Sequence, residues 1–186
     1  MIASKQWNFD SELALLQTQI PDLKICCKTE WGSKASPDHR IQIRDGIIQF
    51  FSPLNETVQT HIMNLEKLPA IEGSHVSISH CEYLGGFAAA SAPIGFDILD
   101  RKRLNLKVIQ RVCSEKEIKS CGDPILLWPA KESVFKLAPD QFKLIADIQI
   151  LTWMKISEAI YRFEASKLSG FVIEKNNFLF GVSFYA

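Results

Sequence analysis

Apolar positions open the chain at helical spacing. Leu13, Leu15 and Leu16 follow Phe9-Asp10-Ser11, a pattern that predicts a short capped helix, and Pro21 stops it. After the polar turn from Gly32 to Pro37, residues 38 to 51 carry Ile41, Ile48 and Phe51 near helical spacing, with Arg40 and Arg44 four apart and so on one face. Residues 55 to 67, with Val58, Ile62 and Leu65, predict a second helix ending at Leu68-Pro69. From His75 the period changes to two. Val76-Ser77-Ile78-Ser79 alternates as a strand does, and residues 87 to 92 and 94 to 98 predict two more strands joined by a turn at Pro93. Residues 104 to 112 predict a helix, 114 to 120 continue it in polar form, and 126 to 137 predict another, with Pro129 tolerated in its first turn. Gly170 to Lys175 and Phe178 to Tyr185 flank Asn176-Asn177 as the arms of a closing β-hairpin. Helices and strands intersperse without a strict βαβ rhythm, so the predicted class is α+β.

Composition narrows the function more than the fold. The 186 residues are 47% hydrophobic, with 12 Phe and 4 Trp, enough for one large core or two small fused ones. Lys and Arg number 21 against 21 Asp and Glu, a balance that argues against a protein coating nucleic acid, which needs surplus cations to displace counterions. Five cysteines, an odd number with no CxxC pair, predict free thiols in a reducing compartment rather than a zinc site. The first residues lack a basic segment followed by an apolar run, and no apolar stretch approaches the roughly 20 residues that cross a bilayer. These features predict a soluble cytoplasmic protein that avoids membranes. The neutral total also hides a pattern. Between Asp100 and Lys119 seven basic residues face three acidic ones, a local charge of +4, so the remainder carries −4.

Three clusters hold the candidate chemistry. Ser77-Ile78-Ser79-His80, with His75, places hydroxyls and imidazoles along a strand, which are also ordinary polar groups for a sheet edge. In Ile94-Gly95-Phe96-Asp97-Ile98-Leu99-Asp100 a carboxylate interrupts an apolar strand, and its burial requires a cation, a hydrogen-bond network or an exposing turn. In Trp128-Pro129-Ala130-Lys131-Glu132-Ser133-Val134-Phe135-Lys136, Glu132 and Lys136 lie one helical turn apart on a face expected at the surface.

In order and spacing these clusters resemble the 4′-phosphopantetheinyl transferase superfamily, in particular the monomeric type that activates peptide and polyketide synthases. The likeness lies in a strand ending in Ser-His, a Gly-x-Asp motif and a Trp-x-x-Lys-Glu-x-x-x-Lys motif, with Arg111-Val112-Cys113-Ser114 and Glu117 similar to the segment linking the last two. It runs from about His75 to Lys136. The resemblance implies two similar α+β halves related by a pseudo-two-fold axis, here residues 1–92 on the coenzyme A side and 93–186 carrying the metal and catalytic motifs. It implies transfer of phosphopantetheine from coenzyme A to a serine of an acyl or peptidyl carrier protein, releasing adenosine 3′,5′-bisphosphate, with Mg²⁺ as cofactor. Asp97 and Glu132 match the metal ligands, Glu132 also the base, directly or through water, and Lys136 the group that steadies phosphate charge. Ser79 and His80 match residues that contact the coenzyme's phosphates, while Lys34, Arg40 and Arg44 resemble the basic set of the first half in composition. Carrier proteins of this kind are acidic, so Arg101, Arg103, Lys107 and Arg111 form the expected docking face.

One position departs from the monomeric type. Where a second acid is usual, two residues after Asp97, this chain has Leu99, and Asp100 follows on the opposite face of the strand. The expected metal site therefore has two carboxylates, with Asp100 outside it. The same departure motivates an alternative, a catalytically inactive coenzyme A or carrier-protein binding module of the same fold. A further rival, a cysteine hydrolase using Cys81 with His75 or His80, lacks an orienting acid, and neighbouring strand residues face apart.

Overall fold

Residues 7–64 and 70–186 are described by the computed structural model, and the chain divides after Pro93 into two units, Met1–Pro93 and Ile94–Ala186. Both mix helices with antiparallel sheet, so the class is α+β. The last turn expected of the second helix, Leu65 to Leu68-Pro69, lies outside the described residues. Among the described residues no helix is long and apolar enough to cross a membrane.

The first unit begins with α1 (Asp10–Leu16). Its entry is held by Asn8, whose Oδ1 accepts the Asp10 backbone N–H at 2.7 Å. Next come β1 (Lys24–Lys28), α2 (His39–Phe50), α3 (Glu56–Met63), β2 (His75–His80) and β3 (Gly85–Ala90). The strands form an antiparallel sheet in the order β1-β3-β2, with β3 buried along its whole length. Strand β1 escaped the hydrophobic pattern because Cys27 is its one buried residue. The stripe that α2 buries also differs from the predicted one. Ile43, Arg44, Gly46 and Ile47 face the core, whereas Ile41 is exposed. Gly46 decides this, because a Cβ there would lie 2.3 Å from the Trp31 ring, so the helix face without a side chain seats on the indole.

The second unit contains β4 (Ile94–Asp100), α4 (Leu106–Val112), α5 (Glu115–Cys121), α6 (Leu127–Leu137), β5 (Thr152–Lys155), β6 (Ile160–Ala165), β7 (Leu168–Lys175) and β8 (Phe178–Tyr185). Its antiparallel sheet runs β4-β8-β7-β6-β5. The predicted hairpin is present: Asn176 and Asn177 both take positive φ, 51° and 67°, as a two-residue turn demands. Residues 115–121 are a helix of their own rather than a continuation of α4. Cys113 leaves helical geometry, and Ser114 and Glu117 restart the chain with a capping box.

Helix α6 lies directly on β4 and β8. A Cβ on Gly95 would sit 1.9 Å from the Ser133 carbonyl oxygen, and one on Gly181 would sit 2.1 Å from the Pro129 carbonyl oxygen. Between these points the buried hydroxyls of Ser133 and Ser183 meet at 2.6 Å. On another side of α6, fully buried Lys131 reaches Glu117 at 2.9 Å and donates to the Val112 carbonyl at 2.7 Å. Glu117 also accepts from the backbone N–H groups of Ser114 and Ile150, so one carboxylate ties α5, α6 and the approach to β5 together. Burial alone would raise the Glu117 carboxyl, but the hydrogen bonds from Ile150, Lys131 and Ser114 outweigh it and hold the group below its ordinary value.

Two outcomes follow from this packing. Gly95→Ala forces helix and strand apart and lowers stability in urea unfolding by about 1–3 kcal/mol, as overpacking does. Lys131→Met strands the Glu117 carboxylate and costs about 3–5 kcal/mol at neutral pH. A carboxyl held low in the folded state contributes stability above its unfolded pKa, near 4.5, and loses it as pH falls through the lower folded value. The penalty of Lys131→Met therefore shrinks in acid, measured as the difference in unfolding midpoint between pH 7 and pH 3.

Candidate functional site

In the second unit, strand alternation turns Asp97 to the face that carries Gly95, beneath α6. Asp97 is 7% exposed, and Lys136 meets it there: Nζ lies 2.8 Å from Oδ1 and 3.0 Å from the Phe96 carbonyl oxygen. Glu132 stands one turn earlier on the same helix face. The sequence placed it at the surface, but it is half-buried, because the close seating of α6 draws that face toward the strand. Burial first, and the negative charge of Asp97 second, push the Glu132 carboxyl above its ordinary value, while Lys136 partly offsets them. The three residues form one electrostatic unit.

Their neighbours complete the description. Leu99 packs against the unit's hydrophobic core. Asp100 is buried and spends Oδ1 on the Lys102 backbone N–H at 3.0 Å, capping the turn at 101–103. Among the described residues no group of three or more His, Cys, Asp or Glu could hold a metal. Asp97 and Glu132 supply two hard oxygen ligands of the kind Mg²⁺ takes, and a cation shared between them would relieve the repulsion that raises Glu132.

In the first unit, His80 ends β2 and meets the start of α2. Its Nε2 is 3.2 Å from the Nε2 of His39 and accepts from the Arg40 Nε at 3.3 Å. The His39 Nδ1 lies 3.1 Å from the Ser36 carbonyl, a partner that only a protonated nitrogen can serve. Two imidazoles and a guanidinium thus crowd the positive end of a helix, an arrangement suited to an anion. The sequence singled out Arg40 and His80 and missed His39, although it adjoins Arg40. Ser79 is buried at 4% exposure, and His80 is the residue that meets this cluster.

Two members of the expected phosphate set stand elsewhere. Arg44 shares a helix face with Arg40, but its guanidinium turns inward and Nη1 donates to the Ile62 carbonyl of α3. Burial, then Arg40, lower its pKa. Lys34 spends its ammonium on Glu82 and on the Tyr83 hydroxyl, both at 2.9 Å. Of the expected docking residues, Arg101 is bound to Asp123 and, at 3.3 Å, to Glu174, because the turn after β4 bends it back over the sheet end. Arg103, Lys107 and Arg111 are exposed.

The five cysteines form no disulfide. Burial pushes the Cys113 and Cys121 thiols up to about 11 and about 12, the opposite of what activates a nucleophile.

Glu132 makes no side-chain hydrogen bond among the described residues, so its charge is a local burden on the fold. For a carboxyl raised in the folded state, ionisation weakens folding as pH climbs past the unfolded value. Glu132→Gln therefore melts at the same or a higher temperature than wild type at pH 7, with the difference closing toward pH 4. A large drop at pH 7 would make Glu132 a structural residue.

No protein-family model matches the chain, and no curated protein matches it either.

Proposed function

We propose that the chain transfers the 4′-phosphopantetheine group of coenzyme A to a serine hydroxyl of an acidic acyl or peptidyl carrier protein. The reading carries with it the fused-repeat fold of that superfamily, with residues 1–92 serving the coenzyme and 93–186 the chemistry. One observation supports it above the rest: residues 39 apart in sequence, Asp97 and Lys136, meet as an ion pair with a raised Glu132 one turn away. Two separated motifs thereby become one acid–base cluster.

In the proposed reaction the serine oxygen forms a bond to the pyrophosphate phosphorus nearest pantetheine. The bond from that phosphorus to the bridging oxygen breaks, and adenosine 3′,5′-bisphosphate leaves with the electron pair. Glu132, directly or through a water, accepts the serine proton. Lys136 sets a positive charge against the oxygens that gain negative charge. His80, Arg40 and His39 hold the coenzyme's phosphates. Asp97 and Glu132 would hold Mg²⁺, which when bound would offset negative charge on the coenzyme's phosphates. Arg103, Lys107 and Arg111 attract the acidic carrier, and the reaction proceeds in the cytoplasm.

A second reading, an inactive binding module of the same fold, is favoured by Leu99 and by the ammonium already occupying Asp97 Oδ1. Transfer of labelled phosphopantetheine from coenzyme A to apo-carrier proteins at millimolar Mg²⁺ separates the two. The enzyme reading predicts label on the carrier serine, and a turnover number about 10²-fold lower or worse in Glu132→Gln. No transfer to any of several carriers leaves the binding module.

A further inference from the structure

The contact between His39 and His80 carries a chemistry that phosphate binding leaves unused. The Ser36 carbonyl accepts from the backbone N–H of His39 at 3.3 Å and from its ring Nδ1 at 3.1 Å. A carbonyl only accepts, so a proton sits on His39 Nδ1, and in the neutral ring Nε2 then carries a lone pair. His80 Nε2 accepts from the Arg40 Nε at 3.3 Å and so carries a lone pair too. These two acceptors face each other at 3.2 Å. Nothing in two neutral rings favours that approach, whereas a cation shared between them does.

The geometry distinguishes which cation. A shared proton asks for a near-linear N–H···N bond with the rings end to end. Here the ring centres are only 4.3 Å apart and the planes cross at 79°, so the rings meet obliquely. Two ligands of one metal ion stand obliquely in this way: imidazole nitrogens about 2.0–2.1 Å from a tetrahedral zinc lie about 3.3 Å from each other. The bond from Nδ1 to a backbone carbonyl is the usual support of a metal-ligating histidine, because it fixes tautomer and ring direction. The backbone around the pair is held as well. Ser33 N–H bonds the Cys81 carbonyl at 3.0 Å and Lys34 N–H the Glu82 carbonyl at 2.8 Å, which ties the approach to α2 to the end of β2. A Cβ on Gly32 would lie 2.5 Å from the Glu82 carbonyl oxygen, so glycine permits this seam.

We propose that His39 and His80 form a two-imidazole site for a divalent transition metal of the zinc class, with water completing its shell. Imidazole selects such an ion over Mg²⁺, which the oxygens of Asp97 and Glu132 suit instead. The N-terminus of α2 and the Arg40 guanidinium both oppose positive charge here, so the affinity comes from the nitrogen lone pairs. Arg40 is also a direct competitor, because its Nε must leave the His80 lone pair before metal binds. Its side chain is exposed and can turn toward solvent. The site is independent of coenzyme A and takes the metal without it.

Zinc chloride titrated calorimetrically into the full chain, in phosphate-free buffer with millimolar Mg²⁺ and no coenzyme A, tests the proposal. Wild type is compared with His39→Ala, His80→Ala, Arg40→Gln and Cys81→Ala, the last because a thiol adjoins His80, and melting curves show that each variant folds. The expected result is tenfold or weaker binding in each histidine variant, tighter binding in Arg40→Gln and a far smaller change in Cys81→Ala. Imidazole nitrogen NMR of the wild type gives a reading that needs no variant: zinc moves the Nε2 resonances of His39 and His80, while Nδ1 of His39 stays protonated. Unchanged affinity in either histidine variant, no tightening in Arg40→Gln, or a loss as large in Cys81→Ala overturns the site. Nε2 resonances that zinc leaves in place overturn it as well.

Discussion

Everything proposed for the second unit depends on how near one helix comes to one sheet. Helix α6 sits on β4 and β8 with carbonyl oxygens of Ser133 and Pro129 where side chains of Gly95 and Gly181 would otherwise project. Ordinary side chains at both positions would raise the helix by ångströms. At the observed separation Lys136 spans from α6 to Asp97, and Glu132 loses enough water to shift its protonation. The glycine of the Gly-x-Asp motif is therefore a packing residue whose effect is felt on the neighbouring carboxylates.

Adjacent residues on α6 do opposite work. Lys131 is buried against Glu117, where each charge is answered and the hydrogen bonds of the carboxylate are filled from Ser114, Ile150 and Lys131. Glu132, about 100° further round the helix, is half-buried with no such donors. A satisfied buried pair fixes a helix, whereas an unsatisfied carboxylate beside another is a strained place that a cation or a proton relieves. The first unit shows a related division. Arg44 serves the α2–α3 contact and Lys34 the Tyr83 hydroxyl, which leaves Arg40 with the two histidines.

Much of this was legible from residue patterns. Period-two alternation marked β2, the Asn176-Asn177 pair marked the last hairpin, and the spacing of Glu132 and Lys136 put them on one helix face. Spacing could not say which way a long side chain turns, so Arg40 and Arg44 looked equivalent although one reaches His80 and the other the Ile62 carbonyl. Short strands with few buried residues, β1 and β5, carried too little periodicity to be read. The burial of Glu132 follows from helix-to-sheet distance, which is set by glycines far from it in sequence, and that of Lys131 from the approach of α5, which brings Glu117 to it.

The central claim is that Asp97, Glu132 and Lys136 behave as one electrostatic unit in the ligand-free protein. Carboxyl-carbon NMR titration of Glu132 in wild type and in Asp97→Asn measures this directly. The account predicts a Glu132 pKa above the ordinary 4.5 in wild type, and a lower one in the variant that still exceeds 4.5 because burial persists. An ordinary value in both proteins would mean that the helix does not hold Glu132 against Asp97, and would contradict the account.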